Sequence, residues 1–272
     1  MQLACHTITW GGVYGSGVGV TSAKDAFYVV AGDLESALRE IAELGFAGVE
    51  LFDGDAVQWS GGTEALRRLL DELALELVGV YAGGSLIYDE ILPEELWRIE
   101  QGVRVAAELG APHLVVGGGA RRHDRAPDDA DYDRLAGALD RVAALAEAAG
   151  VVAHYHPHLS TMAESPEEIE QVFSRTPIGF CPDTAHLAAA GGDPADLIRR
   201  YADRISYVHL KDAKLDPLSF VPLGEGDLDV AAIVGALQDV GFDGWVTLEL
   251  DDFVGPARDA ARIGRDALRS LL

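Results

Sequence analysis

Residues 151–186 read VVAHYHPHLSTMAESPEEIEQVFSRTPIGFCPDTAH, and three segments within them set the pattern for the whole chain. Residues 151–156 are short and rich in β-formers, 167–174 carry a helical period, and 178–182 are β-rich again. The same alternation runs outward in both directions, with further strand candidates at 3–8, 48–52, 77–82, 113–117, 205–210 and 245–250. Between them lie helical stretches at 34–44, 64–75, 94–109, 132–149, 195–202, 230–240 and 257–271. In the first of these Leu34, Leu38, Ile41 and Leu44 recur at intervals of three and four, which puts them on one face of a helix. Gly45, Gly110, Gly150 and Gly241 stand just before the next strand, where a helix ends most easily on a left-handed residue.

Eight alternating units predict an α/β protein, either an open doubly wound sheet or a closed (β/α)8 barrel. No strand is followed by a GxGxxG turn that opens a helix, and 272 residues lie close to the ~250 typical of the barrel. A TIM barrel forming one domain over 1–272 is therefore expected. The connections 11–32 and 117–131 are longer than the fold needs and both follow strands, so they are expected to cover the active face. The acidic run 124–133 reads as solvated surface.

Acidic residues outnumber basic ones 45 to 21, for a formal net charge of −24. Such a surface repels phosphate backbones and anionic lipid, so neither nucleic acid nor a membrane is expected as a partner. The two cysteines, Cys5 and Cys181, form no CxxC pair and fit a reduced chain. The first residues lack the basic flank and apolar run of a signal peptide, and no run of ~20 apolar residues occurs, so a cytoplasmic protein is expected.

Strands five to eight all end in metal-binding or proton-transferring side chains. The fifth runs into His154-Tyr155-His156-Pro157-His158 and the sixth into Pro182-Asp183-Thr184-Ala185-His186; the seventh gives His209-Leu210-Lys211-Asp212 and the eighth Glu249-Leu250-Asp251. Parallel barrel strands bring their C-terminal ends to one mouth, where these groups become neighbours. Burying them unpaired costs several kcal/mol apiece, on the order of the penalty for any unsatisfied polar group. A shared cation removes that cost. An imidazole and carboxylate set suits one divalent metal, with Mn or Co first and Zn, Fe or Mg also compatible. His154, His156 and His158 share strand parity, so only part of this row can reach one ion.

With these motifs, together with Thr7-Ile8-Thr9-Trp10, Gly45 to Glu50 and Gly224-Glu225-Gly226-Asp227, the chain resembles the xylose-isomerase-like superfamily of sugar isomerases, epimerases and dehydratases. Within it the resemblance is to the inosose dehydratase family. It implies that Asp183, His209 and Glu249 are metal ligands, with His156 as the fourth. Most of the superfamily carries Glu-x-His where this chain has His156-Pro157-His158, and inosose dehydratases are similarly histidine-rich there. Losing that carboxylate weakens a mechanism that needs a carboxylate on each face of the substrate.

The resemblance therefore implies dehydration beside the carbonyl of a keto-inositol or similar polyhydroxy ketone: proton abstraction, an enolate, then loss of the β-hydroxyl. Glu249 is the expected base, His158 or His186 the acid, and Lys211 stabilises the enolate or orients Glu249. Lys211 could instead simply pair with Asp212. His6, Trp10, Glu50 and Tyr81 are expected around the substrate together with His158 and His186, although Glu50 could equally hold backbone or His6. His154 lies deeper, where a core histidine is an equal reading. A sugar isomerase or epimerase is the second reading, and a non-catalytic metal- or sugar-binding barrel the third. An endonuclease IV-like site would need further histidines where this chain has Tyr81 and Gly117, and the acidic surface opposes DNA. The partner is a small polyhydroxy molecule; a homo-oligomer, or a small β-sandwich partner subunit, is compatible with the superfamily.

Overall fold

In the computed structural model, eight parallel strands run from β1 (Gln2–His6) through β2 (Gly48–Phe52), β3 (Glu76–Gly84), β4 (His113–Gly118), β5 (Val152–His156), β6 (Gly179–Phe180) and β7 (Tyr207–Leu210) to β8 (Trp245–Leu248). Residues 1–15, 22–251 and 253–272 are described. Neighbouring strands pair in the order β6-β5-β4-β3-β2-β1-β8-β7. The ring closes between β6 and β7 through a single parallel bridge, Asp183 to His209, and the His209 N–H donates to the Pro182 carbonyl at 3.0 Å. The result is the (β/α)8 barrel expected from the alternation.

Its closing strand is shorter than its β-rich sequence suggests. Pro182 has no N–H to give to a ladder, and Asp183 already caps the next turn, Thr184–Ala189, by accepting from the Ala185 and His186 amides.

Among the described residues, the helices that cover the barrel are α1 (Leu34–Glu43), α2 (Gly62–Leu73), α3 (Leu92–Leu109), α4 (Asp129–Ala148), α5 (Pro166–Phe173), α6 (Pro194–Arg200), α7 (Val230–Asp239) and α8 (Ala257–Arg269), with short turns of helix at Asp53–Val57 and Thr184–Ala189. Capping side chains explain why several begin earlier than their apolar period does. Asp128 and Asp131 form a reciprocal capping box that starts α4, and Ser165 with Glu168 does the same for α5. Gly45, Gly110, Gly150 and Gly241 all take positive φ, as expected of residues that end helices.

Strand parity sorts side chains between two cores. Val49, Leu51, Tyr155, Val208, Leu210, Val246 and Leu248 face the helices, whereas Ala4, Val115, Cys181, Tyr207 and Trp245 pack inside the barrel. Two hairpins lie outside the alternating pattern: Val13–Gly15 with Tyr28–Val30, and Asp212–Leu215 with Leu218–Val221. The first belongs to the long connection after β1, of which residues 16–21 lie outside the described residues. Asp53 accepts from the Tyr28 amide and Asp55 from that of Val30, clipping this hairpin beside the mouth. Gly117 and Gly118, at the end of β4, line the central cavity, and no residue of 119–131 does. The arginines of that connection turn away, Arg121 to Glu168 and both Arg122 and Arg125 to Asp131.

At the lower end of the barrel His113 Nδ1 lies 3.1 Å from His154 Nε2, with Ser206 Oγ 3.4 Å from the same nitrogen. His154 is thus a core histidine. Burial pulls His113 down to about 4, and burial with His113 alongside pulls His154 down to about 3. An unfolded imidazole titrates near ~6.5, so the unfolded chain binds more protons below that point and stability is lost as pH falls towards ~4. Each histidine should contribute a loss on the order of 3 kcal/mol by that point, read together as a falling urea midpoint. A midpoint that stays flat across that window would contradict it.

Candidate metal centre

At the upper end of the barrel four strand ends deliver four donors to one point. His156, Asp183, His209 and Glu249 each offer one ligand atom, and these atoms lie within 4.8 Å of one another. His156, Asp183 and His209 are fully buried, and the Glu249 side chain is 7% exposed. His156 Nε2, His209 Nδ1 and Glu249 Oε2 are buried without a hydrogen-bond partner, and the equally buried Asp183 Oδ2 has an ion-pair partner in the Lys211 ammonium at 2.9 Å. His209 Nδ1 approaches Glu249 Oε2 to 2.5 Å and His156 Nε2 approaches Asp183 Oδ2 to 3.4 Å, but neither pair has hydrogen-bond geometry. Orphaned lone pairs aimed at a common centre are costly in a protein interior unless a cation takes them. This donor set, two imidazoles and two carboxylates, fits a divalent ion such as Mn, Co, Fe or Zn.

Three of the four donors are in the form a metal needs, whereas His209, with Cys181, Glu249 and Glu50 outweighing its burial, is held well above the usual imidazole value and gives up one proton when an ion binds. Burial alone would raise Asp183, but Lys211, His186 and His156 hold it well below the usual carboxylate range. Glu249 is likewise held well below that range, because His209 and Lys211 outweigh its burial. Burial pulls His156 down, leaving it neutral with a lone pair to give.

Beneath the centre, Glu50 is 0% exposed and its Oε2 accepts from His209 Nε2 at 2.7 Å and from the Tyr207 hydroxyl at 2.7 Å. Glu50 keeps a hydrogen on Nε2, so Nδ1, the atom that faces the centre, is the nitrogen that would release its proton to a metal. Expected at the substrate, Glu50 instead sits one layer below it, because inward residues of β2 and β7 stack inside the barrel. His6 is also below. Its Nδ1 accepts from the Ile8 amide at 2.9 Å and its ring packs on Phe52. Trp10, at the end of the 3-10 turn Thr7–Trp10, is carried outward and places Nε1 on Glu40 of α1 at 2.7 Å. The local turn after β1, which strand parity does not describe, takes Trp10 off the cavity wall, while His6, the last residue of β1, caps that turn from below.

Above the centre opens a cavity of about 510 Å³ lined in part by Tyr28, Phe52, Tyr81, His156, His158 and Glu249. A larger hollow of about 800 Å³ lies outside the barrel between α1 and α2, away from the centre. Gly117 opposite Tyr81 is required: a Cβ there would stand 1.9 Å from the Tyr81 hydroxyl. Asp251 also lines the cavity and was missed as a site residue, although it shares parity with Glu249. Tyr28 arrives on the hairpin after β1, and no sequence signal announced it.

Asp251 joins His158 and His186 in a second group whose ligand atoms also lie within 4.8 Å of one another. Between the two groups stands Lys211, 0% exposed, with Nζ 2.9 Å from Asp183 Oδ2, 3.1 Å from Glu249 Oε1, 2.8 Å from Asp251 Oδ1 and 3.2 Å from His186 Nε2. Its ammonium is held charged because Asp183, Asp251 and Glu249 outweigh its burial. Asp212, the alternative partner, turns away and accepts from the Ala213, Gly224, Gly226 and Leu228 amides.

Known proteins share both fold and sequence with this chain. It is 28% identical to the inosose dehydratase of Geobacillus kaustophilus over 249 residues, covering 80% of each chain. It is 29% identical to the rhizopine catabolism protein MocC of Rhizobium meliloti over 286 aligned positions, covering 92% of this chain and 82% of that one. Among solved structures, the IOLI protein with a bound zinc atom superposes with a TM-score of 0.77 at 16% identity, over 100% of this chain and 98% of that one, a likeness of fold alone. A profile of the xylose isomerase-like TIM barrel matches residues 38–271, which takes in the strands that carry all four donors. By that match the chain belongs to the xylose isomerase-like TIM barrel family.

Proposed function

We propose that this protein is a metal-dependent dehydratase that acts next to the carbonyl of a keto-inositol or a similar polyhydroxy ketone. The observation that carries the reading is the convergence of four buried donor atoms, three of them without a hydrogen-bond partner, beneath a cavity whose β5 side offers imidazoles rather than a carboxylate. The relatives named inosose dehydratase support the same substrate class.

His156, Asp183, His209 and Glu249 would hold the ion. When bound, it supplies Lewis-acid polarisation of the substrate carbonyl, which acidifies the neighbouring C–H. Glu249, ionised and oriented by His209 and Lys211, takes that proton. His158 or His186 gives a proton to the departing β-hydroxyl, so water leaves and the protein's proton count is unchanged. Burial, with His186 close by, pulls His158 below the usual imidazole value, which makes its protonated form a stronger acid. Inverting a stereocentre needs a base on each face of the substrate. Here both cavity carboxylates, Glu249 and Asp251, come from the end of β8, which favours elimination over epimerisation.

Product mass decides the point. Protein reloaded with Mn or Co should convert a keto-inositol to a product lighter by one water. Unchanged product mass would assign an isomerase or epimerase, and metal uptake without turnover a binding barrel. Elemental analysis of protein purified without a chelating tag identifies the metal, for which Mn or Co is our first choice. Stripping it with EDTA should also lower the melting temperature, since an ion at a hundredfold its Kd stabilises the fold by about 2.7 kcal/mol. Among the described residues no helix is long and apolar enough to cross a membrane. Both cysteines are free and buried, which supports a reducing, cytoplasmic setting.

A further inference from the structure

The group formed by His158, His186 and Asp251 has the composition of a second metal site. We infer that it is a latent one, kept mononuclear because the Lys211 ammonium takes the place of a second metal ion. This rests on the reading of His156, Asp183, His209 and Glu249 as the first metal centre.

The hydrogen-bond partners fix what each side chain presents. His158 Nδ1 lies 2.7 Å from the Leu159 carbonyl, which can only accept, so Nδ1 carries the hydrogen and Nε2 keeps its lone pair. His186 Nε2 lies 3.2 Å from the Lys211 ammonium, a donor, and also faces the Asp251 carboxylate, an acceptor, so this is the nitrogen that turns to the group and would give its lone pair to an ion. Asp251 Oδ2 is 3.3 Å from the same nitrogen, and the two imidazole rings lie with centroids 3.7 Å apart. Two imidazoles, when neutral, and a carboxylate form a common triad for a first-row dication.

One cation is already there. Lys211 Nζ sits 2.8 Å from Asp251 and 2.9 Å from Asp183, and so bridges the latent triad to the first centre. An ammonium at that spot repels a dication and engages its would-be ligands. Phe220, on the hairpin after β7, has its ring 5.2 Å from Nζ and helps hold the side chain in place. The substitution has a functional sense: a lysine charge cannot be exchanged or chelated, so one ion suffices where three carboxylates converge.

Metal content per chain tests this directly. Wild-type protein equilibrated with Mn or Zn and dialysed should hold one equivalent, Lys211→Met two, and Lys211→Met combined with Asp251→Asn one again. Lys211→Arg, which keeps the positive charge, should stay at one. The second equivalent should also raise the melting temperature of Lys211→Met above that of the same variant holding one. One equivalent in Lys211→Met would overturn the inference while leaving the first centre intact, whereas a wild-type chain that binds none would remove the first centre itself. Should Lys211→Met not fold, crystals of the wild type soaked in Zn decide: one anomalous peak supports the inference, and a second peak at His158, His186 and Asp251 overturns it.

Discussion

Glu249→Gln should lower kcat/KM on a keto-inositol by roughly 10³–10⁴-fold, because one carboxylate is asked to do two things. Its Oε2 is one of the four converging donor atoms and has no hydrogen-bond partner, and its Oε1 accepts from Lys211 at 3.1 Å, leaving the group ionised and facing the cavity. A neutral amide of the same shape keeps most contacts but cannot take a proton, and it is a poorer ligand for a dication. Steady-state kinetics at saturating metal, alongside elemental analysis, separate the two losses. A variant that keeps its metal and loses activity places the proton transfer on Glu249. A variant still within tenfold of wild type would show that the base lies elsewhere, and the proposed chemistry would have to be abandoned.

Removing Glu50 should weaken metal binding by about 10–100-fold, the usual cost of losing the partner that orients a ligating histidine. The Glu50 carboxylate is fully buried, and a single oxygen receives both His209 Nε2 and the Tyr207 hydroxyl. Its negative charge keeps the His209 hydrogen on the far nitrogen and makes the near one more basic. Glu50→Gln retains the shape and removes the charge, so it should fall at the lower end of the range, with Glu50→Ala at the upper end. Competition titration against a chelator measures both. Because Glu50 does not line the cavity, KM at saturating metal should move little. An unchanged metal affinity in Glu50→Ala would mean that His209 is held by its strand alone.

Much of the architecture is legible in the amino-acid sequence. Apolar spacing gave helices such as 34–44 and 257–271, because a helix records its buried face in its own period. The strands at 48–52 and 113–117 match observed ones to within a residue. The two hairpins were not legible. Val13–Gly15 and Tyr28–Val30 are three residues each, too short to show alternation, and their pairing depends on carboxylates from the distant turn after β2.

The amino-acid order by itself determined the repeating strand and helix plan, and with it the convergence of four polar strand ends at one mouth, because periodicity and caps are local properties. Only the tertiary structure decided which histidine faces the centre and which, like His154, serves the core. It alone set Glu50 under His209, turned Trp10 outward, and placed the Lys211 ammonium among Asp183, Glu249 and Asp251. The stagger of neighbouring strands and the rotation of the chain as it leaves each one fix these distances to a few ångströms, and both arise from packing around the whole barrel.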